Sequence, residues 1–177
     1  MEATATATQT WAIDPMHSEI QFKVRHLMVS NVTGSFGQFE GVVTTHGDDF
    51  TNAEVRFSAD ITSISTGNAQ RDGHLQSGDF FDAANHPKLE FVSTRFVKTG
   101  DETYDLTGDL TIRGTTKPIT LKVEHGGIMQ DFYGNAKAGF ELSGTIKRKE
   151  FGLSWDAVTE AGGVVVSDDV KLQLNVQ

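Results

Sequence analysis

From Glu19 onward, apolar and polar positions alternate along most of the chain. Ile20, Phe22 and Val24 take one parity against Gln21, Lys23 and Arg25, and Val32, Gly34 and Phe36 resume it after Ser30 and Asn31. Successive side chains of a strand point to opposite faces, so each run predicts a strand with one apolar and one wet face. Phe39, Gly41 and Val43 keep one parity through Thr45, and the run from Thr33 to His46 is long for a strand. At about 3.3 Å per residue it would reach roughly 45 Å, well beyond an ordinary strand. Further runs lie at Ala53 to Ile61, Lys88 to Val97, Tyr104 to Ile112, Ile119 to Val123, Ala136 to Ile146 and Val170 to Val176. Between Thr66 and Pro87 the alternation stops, and a capping residue followed by scattered apolar positions predicts one short helix from Asn68 to Ser77, weakened by Gly73. About eight antiparallel strands and one helix are expected, an all-β chain.

Such strands form either a filled sandwich or a closed barrel. Gly34, Ala53, Ala59, Ala136, Ala138 and Gly144 share the apolar parity with Phe22, Phe36, Phe57 and Phe140. That mixture of small and large residues, together with the strand lengths, favours a barrel with a tapered, partly open interior. The 177 residues fit one domain, which at this size buries roughly 70% of its unfolded surface. The Ala/Thr tract lacks large apolar side chains, so residues 1–9 are expected to be a disordered tail and 10–177 a single domain. Trp11 and Ile13 start the domain, and Pro15 kinks its first edge, where two copies would pair in a homodimer.

Fifteen Lys and Arg against 24 Asp and Glu leave a formal net charge of −9, which repels nucleic acid. Lys147-Arg148-Lys149 is the one dense basic run and supports at most transient contact with an anionic membrane. Without cysteine there is neither disulfide nor thiolate chemistry. No stretch has the 18 or so consecutive apolar residues of a spanning helix. The first residues lack the pattern of an export signal, so the chain as written reads as cytoplasmic, or as periplasmic if it is a mature form.

The candidate chemistry sits on the greasy side. Ile20, Phe22, Val24, Phe36, Val55, Phe57, Leu106, Leu110, Phe140 and Leu142 would touch an apolar ligand in an open barrel and would be ordinary core in a filled one. His26 falls in the same phase at the end of its strand, where it would meet a ligand head group. Arg71, His74, Arg113 and Arg148 would frame the same entrance and bind a phosphate through charge-assisted hydrogen bonds; the alternative is solvated surface. His74 with Asp79 and Asp82 forms the most suggestive metal cluster, with His17 and His86 as further histidines, but no HxH or HExxH spacing occurs and no metal is expected. Asp14, His17 and Ser18 supply the residue types of a hydrolytic triad, yet adjacency in sequence is the wrong evidence for one. Asp14 and Ser18 are expected to satisfy backbone groups around Pro15.

Several stretches together resemble one family: DPxHSxIxFxVxHL at Asp14 to Leu27, SxVxGxFxxFxG at Ser30 to Gly41, RDxHLxSxDFFD at Arg71 to Asp82, HPxLxF at His86 to Phe91, LTIRGTTKPITL at Leu110 to Leu121, and FGL at Phe151 to Leu153. Their order and spacing are similar to those of the YceI-like polyisoprenoid-binding proteins. The resemblance implies a lipocalin-like eight-stranded antiparallel barrel holding a long isoprenoid, quinone-like or fatty amide molecule, without catalysis and with no cofactor other than that lipid. The competing expectations are a hydrolase or metal-dependent enzyme acting on a lipid, and a filled β-domain serving as an interaction module.

Overall fold

The long run expected from Thr33 to His46 is interrupted once, at Gly37 and Gln38, where the apolar parity switches and the chain divides into β3 (Ser30–Phe36) and β4 (Phe39–His46). The fold is that of a computed structural model describing residues 8–26, 30–46, 49–78, 80–130, 136–151 and 166–177. The other strands are β1 (Thr8–Ala12), β2 (Glu19–His26), β5 (Asp49–Asp60), β6 (Ile64–Ser65), β7 (Lys88–Lys98), β8 (Thr103–Ile112), β9 (Thr115–Gln130), β10 (Ala136–Lys147) and β11 (Val166–Val176), with one helix, α1 (Ala69–Leu75). β1 starts at Thr8, so Thr8 and Gln9 are strand residues rather than tail.

Eleven strand segments stand where eight strands were expected, and the pairing explains the difference. β1 and β2 pair with β4 and β3 in turn, on either side of the Pro15 kink. β5 and β6 pair with β4 and β3 along the opposite edge of that same path. Each of these three pairs of segments is therefore one strand bent in the middle. From β5 the ladder passes through β7, β8, β9, β10 and β11, and β11 pairs back onto β2. Among the described residues the ring thus has eight antiparallel ladders and closes on itself, which leaves no long free edge there.

Strands this long must bend to close. Register shifts interrupt β4–β5 at Thr44/His46, β7–β8 at Ser93/Arg95, β9–β10 at Gly139/Phe140 and β11–β2 at Val166/Val170. Such irregularities raise the local twist and turn barrel corners. The bend at Gly37 and Gln38 is stapled by Gly37 N donating to Ser63 O (3.1 Å) and Asp60 N donating to Gln38 O (2.9 Å). With 12 residues in β5 and a usual barrel tilt, the tube is roughly 30 Å tall.

The strand ends define two rims. One carries the β8–β9 turn, the end of β10, the start of β11, the end of β2 and α1. The other carries β1, the start of β5, the β7–β8 turn and the end of β9. The helix forms as expected: Asn68 is its N-cap, its Oδ1 accepting from Arg71 N at 3.1 Å. No residue of α1 is fully buried, so side-chain clamps rather than core packing hold it.

Candidate functional site

The ring encloses a cavity of about 420 Å³, within the ordinary range for small-molecule sites. Its wall takes Ile20, Phe22 and Val24 from β2, Phe36 from β3, Val55 and Phe57 from β5, Leu106 and Leu110 from β8, and Phe140 and Leu142 from β10. All ten residues expected there face it. The interior is thus not filled, as an interaction module would require. Phe50, Phe80, Phe91, Phe96 and the β11 trio Leu172, Leu174 and Val176 line it too. The alternation of β11 signals those three; Phe50 sits beside a turn, where no parity run points to it.

Several large side chains lie along the wall instead of crossing the lumen. A Cβ on Gly34 would collide with the Phe22 ring, one on Gly108 with Phe91, and one on Gly144 with Leu121. Each bulky group covers a glycine of the neighbouring strand, which keeps the wall thin and the bore open. Ala136, expected among the small interior residues, is exposed at the start of β10.

At the rim away from α1, rings meet across the barrel. Phe50 of β5 contacts Phe140 of β10 edge-on at 4.9 Å and His125 of β9 at 5.1 Å, while His125 stacks on Phe140 at 4.7 Å. Trp11 adds a ring 5.4 Å from Phe50, its indole N–H donating to Thr45 Oγ1 at 3.1 Å. Strands from opposite sides of the ring thus close this end with apolar surface. His125 Nε2 is buried there without a hydrogen-bond partner. Burial pushes the imidazole below its ordinary range, only partly offset by the Glu102 carboxylate and a bond to the Gly127 backbone.

At the other rim α1 and the segment after it form a lid. Thr66 is its hub: Arg71 Nε donates to Thr66 Oγ1 at 2.8 Å and Nη2 to Thr66 O at 2.7 Å, while Asp72 Oδ1 accepts from Thr66 N at 2.9 Å and from its hydroxyl at 2.5 Å. Leu75, Phe80 and Phe81 turn into the cavity, and Phe81 meets Phe36 of the barrel edge-on at 6.3 Å. Arg71, His74 and Arg148 line the cavity here. Arg113 does not. Its guanidinium donates to Phe80 O at 3.1 Å and anchors the lid to the β8–β9 turn from outside the bore. His26 closes β2 opposite Ser30, at this same rim, and its side chain lies outside what is described.

The basic run is not a surface cluster. Lys147 points out and pairs with Asp169, whereas Arg148 is 3% exposed and faces in. Of the three basic residues, Lys147 is thus the described outward position, paired with Asp169, while the Lys149 side chain lies outside the described residues.

Asp14, His17 and Ser18 do not assemble a triad. Asp14 Oδ2 lies 2.8 Å from His17 Nδ1 and accepts from Lys137 Nζ at 3.2 Å, whereas Ser18 Oγ accepts from Gln177 N at 2.9 Å. These residues clasp the Pro15 kink to β10 and the end of β11. Bonds from His17 and Lys137 hold the Asp14 carboxyl down at about 2. Of the suggested metal cluster, Asp79 lies outside the described residues, Asp82 accepts from Asn85 Nδ2 at 3.0 Å, and His74 packs edge-on against Phe80. His86 sits instead against Gly114, in the β8–β9 turn.

Comparisons agree with this geometry. A model of the YceI-like domain matches residues 11–177. A UPF0312 protein of Staphylococcus epidermidis is 36% identical over 165 residues, 93% of this chain and 94% of its own length. The crystal structure of a Campylobacter jejuni YceI protein superposes with a TM-score of 0.71 at 34% identity, covering 87% of this chain and 88% of that one. A domain from Saccharophagus degradans, described as polyisoprenoid-binding and implicated in plant cell wall breakdown, has a TM-score of 0.66 at 18% identity over 93% of this chain and 95% of its own, a likeness of fold. With one domain model spanning residues 11–177 and a relative matched nearly end to end, this closed barrel with its apolar bore belongs to the YceI-like family.

Proposed function

We propose that the protein binds the tail of a long-chain isoprenoid or similar amphiphilic lipid inside the barrel and stores or carries it without altering it. The observation that carries this reading is the apolar bore of about 420 Å³ running between a closed aromatic rim and a lidded one. The polyisoprenoid-binding description of the Saccharophagus degradans domain supports it at the level of fold. A 40-carbon chain buried at about 0.8 kcal/mol per methylene would gain about 30 kcal/mol, above the ceiling near 20 kcal/mol for non-covalent complexes. Ordering the flexible tail therefore cancels much of the gain, and selection by tail length is loose.

The test is extraction of the purified, denatured protein with organic solvent, followed by mass spectrometry. A long-chain isoprenoid or fatty amide released in about equimolar amount is expected. An empty extract, repeated after incubation with polyprenyl lipids, refutes the reading.

A further inference from the structure

Phe50 stands at the start of β5 and is 1% exposed. Counted round the ring, β5 and β10 are four ladders apart out of eight, the full diameter. The Phe50 and Phe140 rings nonetheless meet edge-on at 4.9 Å, and Phe50 meets His125 of β9 at 5.1 Å. His125 and Phe140 are direct partners in the β9–β10 ladder and stack, so they present one surface to Phe50. The other described ring contacts of the wall join neighbouring strands, as Phe22 with Phe36, Phe39 with Phe57 and Phe96 with Tyr104, or reach the lid, as Phe36 with Phe81. Among the described residues, rings therefore span the bore at this one level. Trp11 backs them, 5.4 Å from Phe50, its indole held by Thr45 Oγ1 at 3.1 Å.

Phe50 and Phe140 both line the cavity, and edge-on rings with centroids 4.9 Å apart leave no gap through which a methylene chain could pass. At the opposite rim the cover is α1, none of whose residues is fully buried and whose ties are side-chain bonds at Thr66 and Phe80. The lid can lift without breaking a ladder, whereas parting the rings exposes core. A tail therefore enters under the lid and ends at the rings. Resting on the tail-in-bore reading, we infer that Phe50 is the end stop that sets how long a tail the protein recognises: the terminal methyl abuts its ring, and carbons beyond a filled bore remain at the lid. Selection by length is then one-sided. A tail that falls short forfeits up to about fourfold in affinity for each missing methylene, whereas one that is too long neither gains nor loses.

The experiment uses the delipidated full chain carrying Trp155→Phe, which leaves Trp11 beside the stop as the sole tryptophan. The probes are straight-chain alkanols from decanol to docosanol, brominated either on the terminal carbon or next to the hydroxyl end; bromine quenches an indole only at short range. Terminal bromine is expected to abolish most of the Trp11 emission at every length that fills the bore, and head-end bromine at none. Affinity, read by displacement of N-phenyl-1-naphthylamine with the unbrominated alkanols, should climb with length and then level off. Phe50→Ala should move that levelling to longer chains, with docosanol bound at least about tenfold more tightly than by the parent, less than the worth of two further methylenes. Phe50→Leu should shift it the same way by a smaller step and serves if the first variant does not fold. A terminal bromine that quenches at one length and no longer does so at greater ones means that the chain threads through the rim, which overturns the inference. Quenching from the head end overturns it too, as does a folded Phe50 variant whose length profile matches the parent's. Displacement by none of the alkanols overturns the tail-in-bore reading itself, a distinguishable result.

Discussion

Gly108 lies beneath the Phe91 ring, and a Cβ there would also come within 2.6 Å of the Val92 carbonyl oxygen. The ring could tilt, but the backbone of β7 cannot retreat without breaking its ladder. Gly108→Ala is therefore expected to cost about 1–3 kcal/mol, read as a lower urea midpoint. Gly73 is the contrast: nothing lies within 4 Å of a Cβ built there on α1. Gly73→Ala should instead stabilise the helix by up to about 1 kcal/mol. The two titrating residues of note act in separate acid windows. His125 has its pKa lowered in the folded state, so the unfolded chain binds the proton more readily. Stability must then fall as pH drops through the ordinary histidine range near 6.5 and keep falling to the depressed native value. His125→Phe keeps the ring stack and removes the proton, so its urea midpoint should change less between pH 7.5 and 5 than the parent's. Asp14 is lowered from 3.8 to about 2, so its clasp contributes above that window and is lost as pH falls through it. An unfolding titration from pH 5 to 2 should accordingly show an acid step in the parent that Asp14→Asn lacks.

At the scale of elements, the lid is the part that local bonds rather than burial hold in place. Thr66→Val removes the hydroxyl shared by Arg71 and Asp72. Faster hydrogen exchange over residues 66–78 is expected, with a urea midpoint within about 0.5 kcal/mol of the parent's; unchanged exchange would mean that Arg113 on Phe80 suffices. The strands were legible because one buried face imposes a period of two, and α1 because Asn68 caps it. The break in the Thr33 to His46 run went unread although the apolar parity does switch there, from Val32, Gly34 and Phe36 to Phe39, Gly41 and Val43, and the cross-strand staples to Ser63 and Asp60 hold the bend. The wall residues of β2, β5, β8 and β10 follow from parity alone. Arg148 carried two readings, an entrance residue and a member of a basic run, and the structure separates it from Lys147: the two are neighbours in sequence and lie on opposite faces of the wall. His125 escaped notice for the opposite reason. It continues the inward phase of Leu121 and Val123, but only the packing across the bore shows that it closes one end.

At the scale of the molecule, eight ladders enclose one bore with unlike ends. One is shut by rings reaching across from opposite walls; the other is covered by a short helix tied down at Thr66 and Phe80. The ladders are nearly all between neighbours in sequence, so hairpins such as β7–β8 and β8–β9 form from local chain. The β11–β2 ladder is the exception, and beside it Ser18 and Gln177 bond across 159 positions. Loop closure over that span is the costliest step in forming the ring. Pulse-labelled hydrogen exchange during refolding should show β7 to β10 protected before β2 and β11. Until those last two strands meet there is no bore, only a curved sheet open to water along its length. On a ribosome β11 emerges after every other strand of this ring. A nascent chain that still lacks β11 thus has no enclosed chamber.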